Sequence, residues 1–168
     1  MAGGSPKPVE RAPNYITPAG FSALRAEYDH LLGTERPAIV EVVSWAAGNG
    51  DRSENGDYLY GRKRMREIDR RLKFLAIRLK AARVVDPLAQ PDKSRVYFGA
   101  TVTLADEDDK QRTVTLVGDD EADAGEGRIG WNSPLARAIR GAALGDLRRV
   151  ALPGGIKEWE IAEIRYEG

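Results

Sequence analysis

Two stretches of this chain carry the same apolar seam, and the seams run past one another in opposite directions. Phe21, Leu24, Tyr28, Leu31, Glu35, Ala38, Val42 and Trp45 recur at alternating spacings of three and four, as do Tyr58, Gly61, Met65, Ile68, Leu72, Leu75, Leu79 and Ala82. Each pattern lasts about four heptads, which is the signature of a coiled coil. Counted from opposite ends, facing positions add to one constant along the whole length, as an antiparallel hairpin requires. Trp45 meets Tyr58, Val42 meets Gly61, Ala38 meets Met65, and so on down to Phe21 with Ala82. Side-chain sizes complement at the Gly61 and Ala38 positions. Two residues fit badly: Glu35 puts a carboxylate in a seam slot, and Pro37 is expected to bend the first arm. At ~1.5 Å per residue each arm reaches on the order of 45 Å.

The hairpin sets the boundaries of the rest. Residues 1–13 are glycine- and proline-rich without an apolar centre, and read as a disordered tail rather than a leader. Thr17-Pro18 is a helix start with proline at the first helical position. The hairpin occupies 14–86, with a polar, glycine-rich tip over 46–56. Its second arm is expected to stop near Val85, because Asp86-Pro87 and Gln90-Pro91 cannot continue a helix. Residues 87–94 read as a linker.

Beyond the linker the period changes from helical to alternating. Val96–Leu104 and Thr113–Val117 read as strands about an acidic turn, with Arg128–Trp131 a third. Ser133-Pro134 opens a short helix ending at Gly141, and Leu147–Leu152 and Glu158–Tyr166 form a last hairpin. The expected fold class is α+β: an antiparallel helical hairpin, then over 95–168 a small, mostly antiparallel sheet with one short helix.

Composition narrows the chemistry. The 168 residues contain no cysteine and one histidine, so disulfides, thiolate nucleophiles and His-rich metal sites are excluded. No apolar run approaches the ~18–20 residues of a membrane span, and a soluble, cytoplasmic protein is expected. A monomer is expected too, since the seam is consumed within the chain. The 26 basic and 26 acidic residues cancel overall, yet they are unevenly placed. Residues 60–83 hold ten basic and two acidic groups, a net of +8, between flanks of −3 and −5. Such a block points to an anionic partner met at one place.

The segment with most chemistry is Gly50-Asp51-Arg52-Ser53-Glu54-Asn55-Gly56-Asp57-Tyr58. Asp51 and Glu54 stand three apart at a helix start, so they suit a capping box with Asp51 as N-cap. They also suit a hard cation such as Mg²⁺, although from spacing alone the capping box is the commoner meaning and two acids cannot complete an octahedral shell without a partner's ligands. A calcium loop is excluded, because its twelfth position would be Arg62 in place of a glutamate. Behind the tip, Lys63, Arg66, Arg70 and Lys73 are spaced three, four and three, on the face opposite the seam, with Arg62, Arg64 and Arg71 flanking them. A solvated flank is the ordinary reading of a charge run. Seven basic residues in the twelve from Arg62 to Lys73, against Glu67 and Asp69, favour phosphate binding.

The tip GDRSENGDY, the following KRMREIDRRLKFL, the opening YITPAGF and the later VYFGATV, SPLARAI, LGDLRRV and WEIAEIRY together resemble the bacterial transcript cleavage factors of the Gre family, and its GreB branch in particular. The likeness covers about residues 14–168; Gly56, where the family pattern has alanine, and the tail depart from it. The resemblance implies an FKBP-like C-terminal domain that binds RNA polymerase at the secondary channel, and a coiled coil that enters it. It also implies that Asp51 and Glu54 are the catalytic pair, holding a Mg²⁺ shared with the polymerase and present only in that complex. Arg52, Ser53 and Asn55 would then shape the tip loop, and Lys63, Arg66, Arg70 and Lys73 would steer the 3′ end of backtracked RNA. On this reading the protein is no enzyme by itself but activates the polymerase's own RNA cleavage. The alternatives are a non-cleaving regulator that obstructs the channel, and a prolyl isomerase suggested only by the implied fold.

Overall fold

The computed structural model describes residues 13–49 and 55–167. The expected tail therefore lies outside the described residues apart from Pro13, and so do Asp51, Arg52, Ser53 and Glu54 of the tip.

The first arm is a helical path in three parts: α1 (Pro18–His30), a π-helical turn over Leu31–Glu35, and α2 (Arg36–Ala47). Thr17 caps α1, its Oγ1 accepting from the Gly20 amide at 3.1 Å. In the π turn the Arg36 amide reaches back five residues to the Leu31 carbonyl. Pro37 explains the location. It has no amide to offer Gly33, and its ring would crowd that carbonyl, so the chain widens by one residue ahead of it.

That extra residue changes which side chains face the partner arm. Before the turn, Leu24 and Leu31 are buried, as the spacing predicts. After it the seam moves on by one position, to Ile39, Val43 and Ala46 in place of Ala38, Val42 and Trp45. Trp45, expected inside, is 64% exposed. Gly61 packs on Val43: a Cβ added there would lie 2.6 Å from Val43 Cγ2. Glu35, at the point of slippage, is engaged by Arg64, whose Nε donates to it at 2.8 Å while another guanidinium nitrogen reaches Glu67 at 3.3 Å.

The second arm, α3 (Gly56–Ala81), keeps the expected seam. Gly61, Ile68 and Leu75 are buried along it, with Tyr58, Met65, Leu72 and Leu79 half-buried between them. Burying Ile68 and Leu75 contributes roughly 1.5–3 kcal/mol each. The helix ends at Ala81, four residues before the predicted stop. Ala82–Val84 instead form a strand, β2, paired in parallel with β1 (Asn14–Ile16), Ile16 opposite Val84. Parallel strands need a long crossover, and here the whole hairpin supplies it. The β-branched run Val84-Val85 ahead of Asp86-Pro87 prefers this extended path to another helical turn.

The segment expected to be a linker packs down at once. Pro87–Ala89 form a 3₁₀ turn with Pro87 buried beneath Gly99, and the Gln90 side-chain Nε2 donates to the Phe98 carbonyl at 3.0 Å. Gly99, at φ +88°, is why the strand expected from Val96 begins only at Ala100. The sheet comprises β3 (Ala100–Ala105), β4 (Gln111–Val117), β5 (Arg128–Gly130), β6 (Leu147–Leu152) and β7 (Gly155–Tyr166), in the order β5-β4-β3-β7-β6. Helix α4 (Pro134–Ile139) lies between β5 and β6 in the chain and buries Leu135, Ala136 and Ile139 in the core with Val102, Leu116 and Ile161. The α+β class holds. The sheet is mixed, however, not antiparallel throughout: β5 returns parallel to β4, because two 3₁₀ turns between them act as a short crossover.

The hairpin's open end is tied to the sheet through the first of those turns, Asp119–Glu121. The Glu121 carboxylate accepts from the Thr17 amide at 3.0 Å and the Gly118 amide at 2.8 Å, and also binds the Thr17 hydroxyl. Asp120 takes Arg78 at 2.8 Å and Asn14 at 3.1 Å. Beside them Tyr15 packs on Phe98 and Trp131, with ring centroids 5.7 and 6.2 Å away.

Candidate functional site

The tip is framed by Asn55. Its Oδ1 accepts from the Tyr58 amide at 3.1 Å and caps α3, while its Nδ2 donates to the Ala46 carbonyl at 2.8 Å. One side chain thus joins the end of α2 to the start of α3 and closes the base of the segment carrying Asp51 and Glu54. This settles one reading of the motif: α3 begins at Gly56 under an Asn55 cap, so the expected capping box with Asp51 as N-cap does not describe this helix start. Asn55, expected as loop support, makes these two hydrogen bonds at the edge of that segment.

The basic block divides into two sets. Arg64 and Arg71 face the first arm and are spent on it. Arg64 holds Glu35, and Arg71 grips both oxygens of Glu27 at 2.6–3.1 Å. Hydrogen bonding from Arg71 holds the Glu27 carboxyl below its ordinary value, against a smaller opposing effect of burial. Arg36 similarly takes Asp69 at 2.8 Å, and Arg78 is committed to Asp120. The second set is Lys63, Arg66, Arg70 and Lys73, with Arg62 beside it. All are exposed, and among the described residues none has an acidic partner within ion-pair distance. The four expected residues therefore form one unneutralised stripe along the outer face of α3.

The charges that the sequence could not sort are sorted by phase. Residues 64, 71 and 78 lie seven apart beside the seam, where Glu35, Glu27 and Asp120 wait; residues 63, 66, 70 and 73 lie opposite it. The positioning acids Asp120 and Glu121 carry no signal in the sequence. Read as sequence they only add to the C-terminal negative charge, and nothing local marks their partners in the first arm.

As donors, Asp51 and Glu54 fit Mg²⁺ in kind, being hard oxygen ligands, and fall short in number. Among the described residues no group of three or more His, Asp or Glu side chains could hold a metal ion. No helix of the described residues is long and apolar enough to cross a membrane.

Comparison with known proteins covers both halves of the chain. Residues 14–84 match the family described as transcription elongation factor, N-terminal, and residues 90–166 match transcription elongation factor, GreA/GreB, C-terminal. Transcription elongation factor GreB of Neisseria meningitidis is 54% identical over 153 residues, spanning 91% of this chain and 94% of that protein. GreB of Pseudomonas aeruginosa is 48% identical over 151 residues, 90% of this chain and 89% of the other. Among solved structures, a GreA/GreB elongation factor from Nitrosomonas europaea aligns over 90% of this chain and 98% of its own, at 21% identity and a TM-score of 0.41.

Proposed function

Because the chain belongs to the GreA/GreB family of transcription elongation factors and is GreB-like within it, we propose that it acts on RNA polymerase by inserting its helical hairpin into the secondary channel and stimulating the polymerase's own Mg²⁺-dependent cleavage of backtracked RNA. The C-terminal sheet domain holds the polymerase at the channel rim, in the cytoplasm and as a monomer. The observation that carries this reading is the outer face of α3. Lys63, Arg66, Arg70 and Lys73 form an exposed cationic stripe, without an acidic partner among the described residues, directly behind the segment that bears Asp51 and Glu54.

Each part has a physical task. The stalk brings two carboxylates to a site too deep for a globular surface to reach. Asp51 and Glu54 supply hard oxygen ligands to a Mg²⁺ whose remaining ligands belong to the polymerase. Bound there, the ion would polarise the scissile phosphate and lower the pKa of an attacking water. Asn55 fixes where those carboxylates are presented by tying the tip's base to Ala46. Arg52 and Ser53 shape the loop, and the stripe on α3 neutralises phosphates of the extruded 3′ end so that it lies along the helix.

The test is RNA cleavage in stalled, backtracked elongation complexes. Adding the protein should release 3′-terminal RNA fragments and restart the complexes, with no hydrolysis of RNA when polymerase is omitted. Polymerase binding that slows transcription without releasing RNA would replace this proposal with the obstructing regulator.

A further inference from the structure

The cationic stripe is not purely polar. Phe74 stands four residues beyond Arg70 and next to Lys73, on the outer side of α3, and is 43% exposed. It takes no part in the seam cluster of Ile68, Leu75 and their neighbours. Leaving a phenyl group half in water forgoes much of the stabilisation it could give a core. Its position is nonetheless held. The Arg71 guanidinium carbon lies 5.1 Å from the ring centroid, and Arg71 is itself fixed by its two-oxygen grip on Glu27. A ring steadied in this way and flanked by Arg70 and Lys73, which have no acidic partner among the described residues, has the two elements of a single-stranded nucleic acid platform. The cations hold the backbone and the aromatic face takes a base of any identity.

From this arrangement we infer that Phe74 is a base-stacking residue for the single-stranded RNA that runs along α3, an inference that rests on the proposed function and extends its RNA site away from the tip. The position decides which RNA it serves. Phe74 lies eighteen residues past the start of α3, on the order of 27 Å along the axis at ~1.5 Å per residue. An RNA end extruded by a single nucleotide stays at the tip and never meets the ring; a long extruded tail does. Phe74 is therefore a specificity residue, strengthening the response to deeply backtracked complexes. A protein wall as partner is the less fitting occupant, because Arg70 and Lys73 beside the ring need phosphates more than the apolar surface that Phe74 and the exposed Ile77 would suit.

Four proteins test this: the wild type, Phe74→Ala, Phe74→Leu and Phe74→Trp. Cleavage is followed in complexes backtracked by one nucleotide and in complexes with a long extruded tail. Phe74→Ala should need about tenfold more protein for half-maximal cleavage of the long-tailed complexes, the scale of one lost stacking contact. It should match the wild type on the short ones. Phe74→Trp should keep the activity and Phe74→Leu should behave like alanine, since leucine is apolar without a flat face. Retention by Phe74→Leu, or equal losses on both complexes, would overturn the platform in favour of an apolar protein contact. A second arm measures binding of a single-stranded RNA oligomer to the free protein by fluorescence anisotropy at low salt. If the wild type fails to stimulate cleavage, the proposed function falls, and this arm still decides the platform. Weaker binding by Phe74→Ala and Phe74→Leu supports it, and unchanged binding refutes it.

Discussion

Replacing Asn55 by alanine should loosen the tip and leave the rest of the hairpin intact. Two hydrogen bonds disappear together, from the Tyr58 amide at 3.1 Å and to the Ala46 carbonyl at 2.8 Å. Losing the cap costs about 1 kcal/mol. The second bond adds less than the usual ~1 kcal/mol, because the Ala46 carbonyl also receives the Asn49 amide at 3.1 Å and is not orphaned. The total is about 1.5 kcal/mol, close to a tenfold rise in local opening. Native-state hydrogen exchange reads this directly. Protection of the Tyr58 and Leu59 amides should fall about tenfold, while amides around Leu75 keep theirs. Asn55→Asp should lose only the smaller part, since aspartate caps equally well but cannot donate to Ala46. Stimulation of RNA cleavage should fall with the tip's order while polymerase binding stays. Unchanged protection at Tyr58, or a loss spread evenly down α3, would refute the assignment of Asn55 as the tip's fastener.

Three further outcomes follow from the charges. Replacing Lys63, Arg66, Arg70 and Lys73 together by alanine should preserve helical content and weaken action on deeply backtracked complexes, with a salt dependence flatter by up to about four phosphate contacts. An unchanged salt slope would mark the stripe as a solvated flank. The Glu27 carboxyl is held below its ordinary value of 4.5, so its pairing with Arg71 stabilises the hairpin above about that pH and is lost as pH falls through the lowered value. Melting curves across that range should show a shallower acid limb in Glu27→Gln, modestly so because the pair is partly exposed. Finally, Glu121→Ala removes the acceptor for the Thr17 amide and hydroxyl, and spin labels on α3 and β6 should report a broadened distance distribution; a distribution as narrow as the wild type's would deny Glu121 its part in fixing the hairpin's direction.

What could be read from the sequence depended on whether a local rule was also the global one. The seam of α3 was legible because nothing interrupts it, from Tyr58 to Leu79. In the first arm the same rule held only up to Leu31. Glu35 in an apolar slot and Pro37 after it are the visible signs, and by themselves they indicate a flaw and a bend rather than one inserted residue. The consequence, Val43 closer than Val42 to Gly61, follows only once the π turn is seen. Three-residue strands such as β1 and β2 have no period to detect, and their pairing joins segments at opposite ends of the hairpin. The acids Asp120 and Glu121 have partners about forty and a hundred residues distant, Arg78 and Thr17, so only the fold brings them together. The cationic stripe was legible from spacing, whereas the separation of paired from unpaired arginines needed the facing acids in place. The roles of Asp51 and Glu54 came from the motif's likeness to a family, since three-residue spacing serves a cap and a metal alike.

The most direct test of the account is cleavage by Asp51→Asn, measured with polymerase binding and melting alongside. Asparagine keeps an oxygen acceptor and takes away the negative charge that Mg²⁺ prefers. With the helix capped by Asn55, the substitution should leave the melting curve and the competition for polymerase unchanged. Cleavage in backtracked complexes should fall by at least ~10²-fold, the scale of a lost ligand interaction, and raised Mg²⁺ should restore part of it by mass action. Full cleavage by Asp51→Asn, with normal binding and melting, would contradict the claim that the tip carboxylates complete a metal site.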